Sequence, residues 1–246
     1  MSFPIRSDSL RPLLSRVHAD PYGNLFSENT GPRLHKALSP RYVWSKLAVI
    51  LYEKRHPRHP WINRRAIDLL GGHLRPVHRG FEWGSGVGTC WLARRSRSLV
   101  SVEHHAGWYV RVKRQLEAER LPNVDYRLVA ELDYVEAMSE FPDCYFDYVL
   151  VDGLFRDHAL LRSIPRLKPG GWLVFDNANW FLPSDSRTPH SRRPRDGPAS
   201  ELFSQAARRL TGWGTVWTTD GVNDTAVFVK PARAAAAVPA YGDAER

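Results

Sequence analysis

The spacing of apolar residues changes along the chain, and each change predicts a different kind of element. From residue 40 to residue 70 apolar side chains recur at helical spacing, which predicts one helix ending near the proline-rich stretch 56–60 and a second over 61–70. From residue 79 onwards, short apolar runs of strand length alternate with helical segments. This alternation predicts a parallel sheet with helices on both faces, and the last two runs predict a hairpin that adds an antiparallel strand.

The pattern divides the chain into four parts. Residues 1–39 read as an irregular basic arm, 40–72 as helical, 73–230 as an α/β domain and 231–246 as a frayed tail. The predicted strands are 79–82, 98–103, 124–129, 145–152, 172–176, 215–219 and 225–230. The predicted helices of the domain are 89–94, 108–119, 131–138, 156–167 and 201–210.

A glycine-rich stretch follows the first predicted strand. Residues 81–89 read Phe-Glu-Trp-Gly-Ser-Gly-Val-Gly-Thr, and the acidic Glu103 ends the next apolar run. Alternate glycines let a backbone turn approach a ligand where a Cβ would collide, and the helix starting near Thr89 presents its amides to a polar group. Glu103 lies about where nucleotide-binding α/β folds present a carboxylate to ribose hydroxyls. We therefore expect a nucleoside-bearing cofactor, although the dinucleotide fingerprint fails at Thr89.

The run Glu-x-Gly-x-Gly-x-Gly from Glu82 to Gly88 resembles the first motif of class I S-adenosylmethionine-dependent methyltransferases. The resemblance extends in order from residue 81 to residue 230. Residues 151–153 (Val-Asp-Gly) and 175–177 (Phe-Asp-Asn) look most like catechol-type small-molecule O-methyltransferases, and 81–86 resembles a bacterial subgroup with poorly defined substrates. The resemblance to class I methyltransferases implies a Rossmann-like fold with a doubly wound, mostly parallel sheet. It also implies that the protein transfers a methyl group to a small-molecule acceptor, and we expect the methyl group to be transferred to an oxygen atom.

The resemblance also implies where S-adenosylmethionine binds. Glu82 would lie near the positively charged methionine end, and Ala130 with Glu131 would contact the adenine. His104, after Glu103, either flanks the ribose and adenine or belongs to an ordinary polar loop. The full set of expected cofactor residues is Glu82, Gly84, Ser85, Gly86, Gly88, Thr89, Glu103, His104, Ala130, Glu131 and Asp152.

Three polar residues follow the fourth and fifth predicted strands. In catechol-type enzymes the positions of Asp152, Asp176 and Asn177 bind a magnesium ion that holds the acceptor's hydroxyl oxygens. Two carboxylates and an amide suit such a hard cation. The alternative is that these side chains cap turns or bind backbone amides beside the cofactor.

The acceptor side differs from the catechol-type pattern, because Phe155 stands where those enzymes carry a lysine. Histidine is the side chain that commonly serves as a base near neutral pH, so His158 is the expected base, and a solvent-facing helix histidine is its alternative. Arginine side chains carry a permanent positive charge, so Arg156 is expected to orient an anion. Asp152 completes the expected catalytic set, through positioning.

Composition sets the remaining expectations. The 246 residues fit one large domain, and Cys90 and Cys144 give no disulfide framework, which suits a reducing cytoplasm. No membrane span or secretory signal is expected. The net charge is +9, but no nucleic-acid-binding motif accompanies it, so no specific nucleic acid is expected. A homodimer, a methyltransferase for RNA or a peptide, and a non-catalytic cofactor-binding scaffold stay open.

The segment 183–198 has no apolar periodicity and is longer than most unstructured connections. It contains Arg187, Arg192, Arg193 and Arg195. We expect a mobile lid whose arginines favour an acidic or phosphorylated acceptor. A solvated, dispensable insertion is the alternative.

Overall fold

The computed structural model describes residues 39–232. The predicted arm (1–39), apart from its last residue, and the tail from residue 233 lie outside the described residues. The helices are α1 (Pro40–Arg55), α2 (Arg64–His73), α3 (Thr89–Ala93), α4 (Ala106–Ala118), α5 (Arg156–Arg166), α6 (Ala178–Phe181) and α7 (Glu201–Leu210), with 3-10 turns at Glu131–Glu136 and Pro194–Asp196. The strands are β1 (Arg79–Trp83), β2 (Ser98–Glu103), β3 (Val124–Leu128), β4 (Phe146–Val151), β5 (Leu167–Asp176), β6 (Gly214–Thr219) and β7 (Asp224–Val229).

These strands form one sheet in the order β3-β2-β1-β4-β5-β7-β6. The pairs from β3 to β5 are parallel, whereas β7 is antiparallel to both β5 and β6. The predicted mostly parallel sheet with a closing hairpin is confirmed. The strand order reverses between β1 and β4, and open α/β sheets bind ligands outside the carboxyl ends of the strands at such a switch point.

The two faces of the sheet carry separate cores, because successive strand residues point to opposite sides. On β4, Val149 and Val151 pack in one cluster with α5 and α7, while Tyr148 and Leu150 pack in another with α2 and α3. Both faces are thus covered, and the functional chemistry is left to the strand ends. Among residues 39–232, none of the helices combines the length and apolar character needed to cross a bilayer.

Three predicted elements differ from the structure by three residues or more at their start, or in the type of helix. Helix α2 starts at Arg64 rather than 61, because the Asn63 side chain caps it by accepting from the Ala66 amide (3.0 Å). Strand β5 starts at Leu167 rather than 172, because Leu167 already pairs with Phe146 before a register shift. The predicted helix over 131–138 is a 3-10 turn over Glu131–Glu136.

The segment after α6 folds back onto that helix. Arg192 donates its amide to the Asn179 carbonyl (2.9 Å), and Ala199 donates to that of Phe181 (2.8 Å). Thr188, Ser191 and Arg192 are buried. The segment 183–198 is therefore packed against α6 in this arrangement, and its expected mobility stays a prediction. Polar side chains, whose pattern gives no periodic signal, hold this turn-rich cover together.

Candidate active site at the carboxyl edge of the sheet

The glycine turn after β1 meets the end of β4. Gly84 has a φ of +86°, and a Cβ there would stand 2.6 Å from the Gly153 Cα. A Cβ on Gly153 would in turn stand 2.1 Å from the hydroxyl of Tyr134. At Gly86, by contrast, an added Cβ would meet no atom closer than 4.0 Å. Close packing therefore requires glycine at positions 84 and 153, whereas Gly86 borders open space that a ligand could fill.

Glu103, at the end of β2, is held by neutral donors. Its carboxylate accepts from the amides of His104 (2.9 Å), His105 (2.8 Å) and Ser85 (3.1 Å), and from the Ser85 hydroxyl (3.0 Å). Burial opposes its ionisation, yet the interactions with His104, His105 and Ser85 outweigh burial and lower the pKa of Glu103. An ionised carboxylate therefore stands beside the glycine turn.

Glu82 lies behind this turn and is only 2% exposed. Its carboxyl group accepts from the hydroxyls of Thr89 (2.7 Å) and Ser101 (2.5 Å). Burial raises the pKa of Glu82 to about 8, against the lowering effect of these hydrogen bonds. The Thr89 hydroxyl also accepts a hydrogen bond from the Gly86 amide (3.0 Å). Glu82 therefore stabilises the glycine turn indirectly, through Thr89.

Two tryptophans cover the glycine turn. Trp108 donates its indole N–H to the Ser85 carbonyl (2.5 Å), and the Trp61 ring lies 5.7 Å from the Trp108 ring. Pro60 packs so closely on Gly88 that a Cβ there would stand 2.7 Å away. Trp61 was not predicted to belong to the site, because residue 61 was expected to begin the second helix and nothing in that position indicates a contact with Trp108.

The remaining expected cofactor residues border the end of β2. Val129 donates its amide to the Glu103 carbonyl (2.8 Å), which brings the exposed Ala130 and Glu131 beside that strand end. His104 lies with its Nδ1 3.1 Å from a Glu103 oxygen. The predicted cofactor residues of the glycine turn thus meet the end of β2, and Ala130 and Glu131 lie beside that strand end.

On the acceptor side, Arg156 joins the ends of β4 and β5. Its Nη2 donates to the Asp152 carboxylate (2.7 Å) and carbonyl (3.2 Å), and its Nη1 to the Asp176 carbonyl (2.7 Å) and the Asn177 side-chain oxygen (2.9 Å). Its Nε donates to the Gly153 carbonyl (3.1 Å). These five bonds match the five N–H donors of a guanidinium.

The comparisons with known proteins address this site. Residues 81–178 match the family described as "Methyltransferase domain". Over these residues the chain carries a methyltransferase domain. The cofactor of this methyltransferase is S-adenosylmethionine. The open space at Gly86 and the ionised carboxylate of Glu103 fit it, since a nucleoside needs both room and a partner for its ribose. No curated protein sequence matches the chain.

Solved methyltransferase structures are similar to this chain at low identity. A putative methyltransferase from Streptococcus mutans, in complex with SAH, is 11% identical, with 66% of this chain and 94% of that chain covered and a TM-score of 0.48. The N-methyltransferase NodS from Bradyrhizobium japonicum WM9 is 17% identical, with 73% and 96% covered and a TM-score of 0.45. A putative rRNA-methylase from Clostridium thermocellum is 13% identical, with 68% and 94% covered and a TM-score of 0.48.

The expected metal ligands of the methyltransferase do not fit a divalent cation in this arrangement. The Asp152 carboxylate and the Asn177 oxygen both bind the Arg156 guanidinium, which is already a cation. Asp176 is 2% exposed and accepts from the Thr225 hydroxyl (2.6 Å). Burial first, and then the charge of Asp152, raises the pKa of Asp176 well above its ordinary value. Within residues 39–232, no three His, Cys, Asp or Glu side chains are placed to hold a metal ion.

The expected catalytic residues are only partly brought together. Asp152 stands at the end of β4 with its side chain 31% exposed. Arg156 cannot orient an acceptor anion as expected, because the protein itself binds all of its donors. His158 lies 48% exposed on α5 with its Nδ1 3.0 Å from Asp157, and no hydrogen bond among the described residues joins it to Asp152. Among the expected catalytic residues, Asp152 is therefore the one whose side chain is partly exposed at the end of β4.

Proposed function

We propose that this methyltransferase transfers a methyl group to an oxygen atom of a small-molecule acceptor, and that Asp152 receives the acceptor's proton. The observation that carries the proposal is the partly exposed Asp152 carboxylate beside Gly153, at the junction of the glycine turn and the end of β4. A carboxylate there can accept a hydrogen bond from a hydroxyl group and so orient its oxygen.

The reaction needs positioning more than chemical assistance. S-Adenosylmethionine supplies a methyl group on a positively charged sulfur. An in-line displacement forms the oxygen–carbon bond as the carbon–sulfur bond breaks, and the hydroxyl proton passes to a base. Asp152 would hold the hydroxyl in line and take this proton, while Glu103 would bind the ribose at the other end of the cofactor.

The walls of the acceptor side support a small acceptor. The carboxyl end of β5 is covered by α6 and by the segment that folds back onto it through Asn179 and Arg192. Asn179 is fully buried, and Trp180 and Phe181 belong to the same short helix. A covered strand end favours an acceptor that can be enclosed over one that lies along an open groove.

Product formation tests this proposal. Release of S-adenosylhomocysteine should be measured with a pool of hydroxylated metabolites and, separately, with RNA and with peptides. Asp152→Asn should lower turnover by about 10²–10⁴-fold, which is the range for a lost acid–base group. Asp143→Asn, at a carboxylate that is 69% exposed and paired with Arg166, is the matched control and should behave as wild type. Turnover with RNA or peptides alone would refute the small-molecule acceptor.

A further inference from the structure

The Arg156 guanidinium lies between two of the three candidate metal ligands. It lies between the side chains of Asp152 and Asn177, and it also binds the carbonyls of Asp152, Gly153 and Asp176. Its side chain is 14% exposed. One face of the guanidinium lies 5.7 Å from the Phe181 ring centroid, an arrangement that favours a cation.

The backbone on both sides of this cluster is strained in order to build it. Phe155, immediately before α5, has a φ of +44°, and Asn177, immediately after β5, has a φ of +53°. The left-handed region is costly for a bulky residue such as Phe, and such strain persists only where surrounding contacts hold it. The contacts here are those of Arg156, which join the residues next to both positions.

We propose that Arg156 takes the place of a divalent cation, so that this methyltransferase works without a metal ion. The guanidinium balances the charge of Asp152. It also holds the ends of β4 and β5 in a fixed relative position, next to the site where the acceptor would bind. A metal ion would have to displace a cation that already makes five hydrogen bonds. Arg156 is a positioning residue in this scheme, because none of its N–H groups is left for the acceptor.

This inference deepens the proposed function, but its test needs no acceptor. Mn²⁺ is the probe, because its free-ion electron paramagnetic resonance signal falls when it binds. Wild-type protein titrated with Mn²⁺ should show no saturable site, and Mg²⁺ or a chelator should leave its melting temperature unchanged. A saturable Mn²⁺ site in wild type that Asp152→Asn abolishes would overturn the proposal, whatever the acceptor proves to be.

Removing the guanidinium should uncover the ligands. Arg156→Ala should melt several degrees lower and gain a saturable Mn²⁺ site that is lost again on adding Asp152→Asn. Arg162→Ala, which removes an arginine that is 43% exposed on the same helix, should match wild type in both measurements. A folded Arg156→Ala protein without an Mn²⁺ site would show that the guanidinium does not exclude the metal, and would overturn the proposal. If Arg156→Ala fails to fold, the wild-type titration decides.

Once an acceptor is known, a second readout follows. Exhaustive chelation should leave turnover unchanged, and added Mg²⁺ should not raise it. A loss of turnover on chelation that Mg²⁺ restores would refute metal independence even if the small-molecule acceptor is confirmed.

Discussion

Two strand-end carboxylates face the same edge of the sheet, but the protein treats them differently. Glu103 ends β2 and accepts hydrogen bonds from neutral amides and one hydroxyl, all within or next to the two turns it joins. Asp152 follows β4 and pairs with a guanidinium from the next helix. The cofactor half of the site, around Glu103, therefore keeps its carboxylate beside amides, one hydroxyl and the His104 ring, whereas the acceptor half, around Asp152, pairs its carboxylate with the Arg156 guanidinium.

This difference assigns distinct tasks to the two halves. Amide and hydroxyl donors can be shared or exchanged when a ribose hydroxyl arrives, without displacing a guanidinium. On the acceptor side, loss of one partner would leave a poorly solvated charge uncompensated, which is costly. We infer that the cofactor half adapts to its ligand, while the acceptor half is fixed before the acceptor arrives.

The largest expected effects come from two glycines of one turn. Gly86→Leu should fold normally, since the space beside Gly86 is open, but it should abolish S-adenosylmethionine binding by filling that space. Gly84→Ala should instead destabilise the fold, by about 1–2 kcal/mol from the left-handed backbone alone and by more from the contact with Gly153. Thermal melting with and without cofactor separates the two outcomes, because a ligand that binds the native state raises its melting temperature.

A Gly86→Leu protein still stabilised by the cofactor would move the binding site away from the glycine turn. NAD serves as the control ligand. Equal stabilisation of wild type by NAD and by S-adenosylmethionine would contradict the cofactor assignment.

The sequence was a better guide to the cofactor half than to the acceptor half, and the reason is physical. The glycine turn and Glu103 act through local backbone geometry, so their spacing alone predicts their position. Arg156 also lies only four residues from Asp152, and its charge was recognised. Residue spacing cannot show that the flexible Arg156 side chain folds back towards the ends of β4 and β5. Nor can it show that all of the N–H donors of Arg156 bind groups at those strand ends.

The same limit applies to the cover over β5. The segment 183–198 has no periodicity, because its contacts are hydrogen bonds between polar side chains and carbonyls rather than burial of one apolar face. The packing of Pro60 on Gly88 joins segments far apart in sequence, and nothing in either segment alone predicts it. Long-range polar contacts and turn-to-turn packing therefore escape pattern reasoning.

A smaller, pH-dependent effect should distinguish Glu82 from Glu103. The folded-state pKa of Glu82 is about 8 against an ordinary value of 4.5, so its contribution to stability is fully present below pH 4.5 and is lost as pH rises through 8. Between pH 4.5 and pH 8 the contribution of Glu82 to the free energy of unfolding therefore falls by about 1.4 kcal/mol per pH unit. Glu82→Gln should remove this loss and be relatively more stable at pH 8 than at pH 5. Glu103, with its lowered pKa, should have the opposite sign, with stability lost only as pH falls.

Cofactor binding checks the same group independently. Deprotonated Glu82 attracts a positive sulfur, so the affinity for S-adenosylmethionine should rise with pH towards 8 in wild type and not in Glu82→Gln. S-Adenosylhomocysteine, which lacks that charge, should show a weaker pH dependence. Equal pH dependence for the two ligands in wild type would mean that Glu82 does not sense the sulfur charge.

The smallest effects concern the arginines of the segment 183–198, which were expected to face an acidic acceptor. Arg192 is 6% exposed and donates to the partly buried carbonyls of Asp196 (2.8 Å) and Gly197 (2.6 Å), so Arg192→Ala should cost about 1–3 kcal/mol of stability through the loss of these two hydrogen bonds to a charged group. Arg195 has a side chain that is 79% exposed, and Arg195→Ala should change stability by less than about 0.5 kcal/mol.

Urea unfolding of both variants measures this difference. Protease digestion should then cut Arg192→Ala faster than wild type within the segment, and Arg195→Ala at the wild-type rate, because the side chain of Arg192 bonds carbonyls of the segment whereas that of Arg195 is exposed. An effect of Arg195→Ala confined to the KM for an acidic acceptor would keep the anion-binding hypothesis for that arginine. If the kinetics of Arg195→Ala with an acidic acceptor are unchanged, the anion-binding hypothesis for Arg195 is wrong. The segment 183–198 would then serve only as a structural wall of the acceptor site, stabilised in part by Arg192.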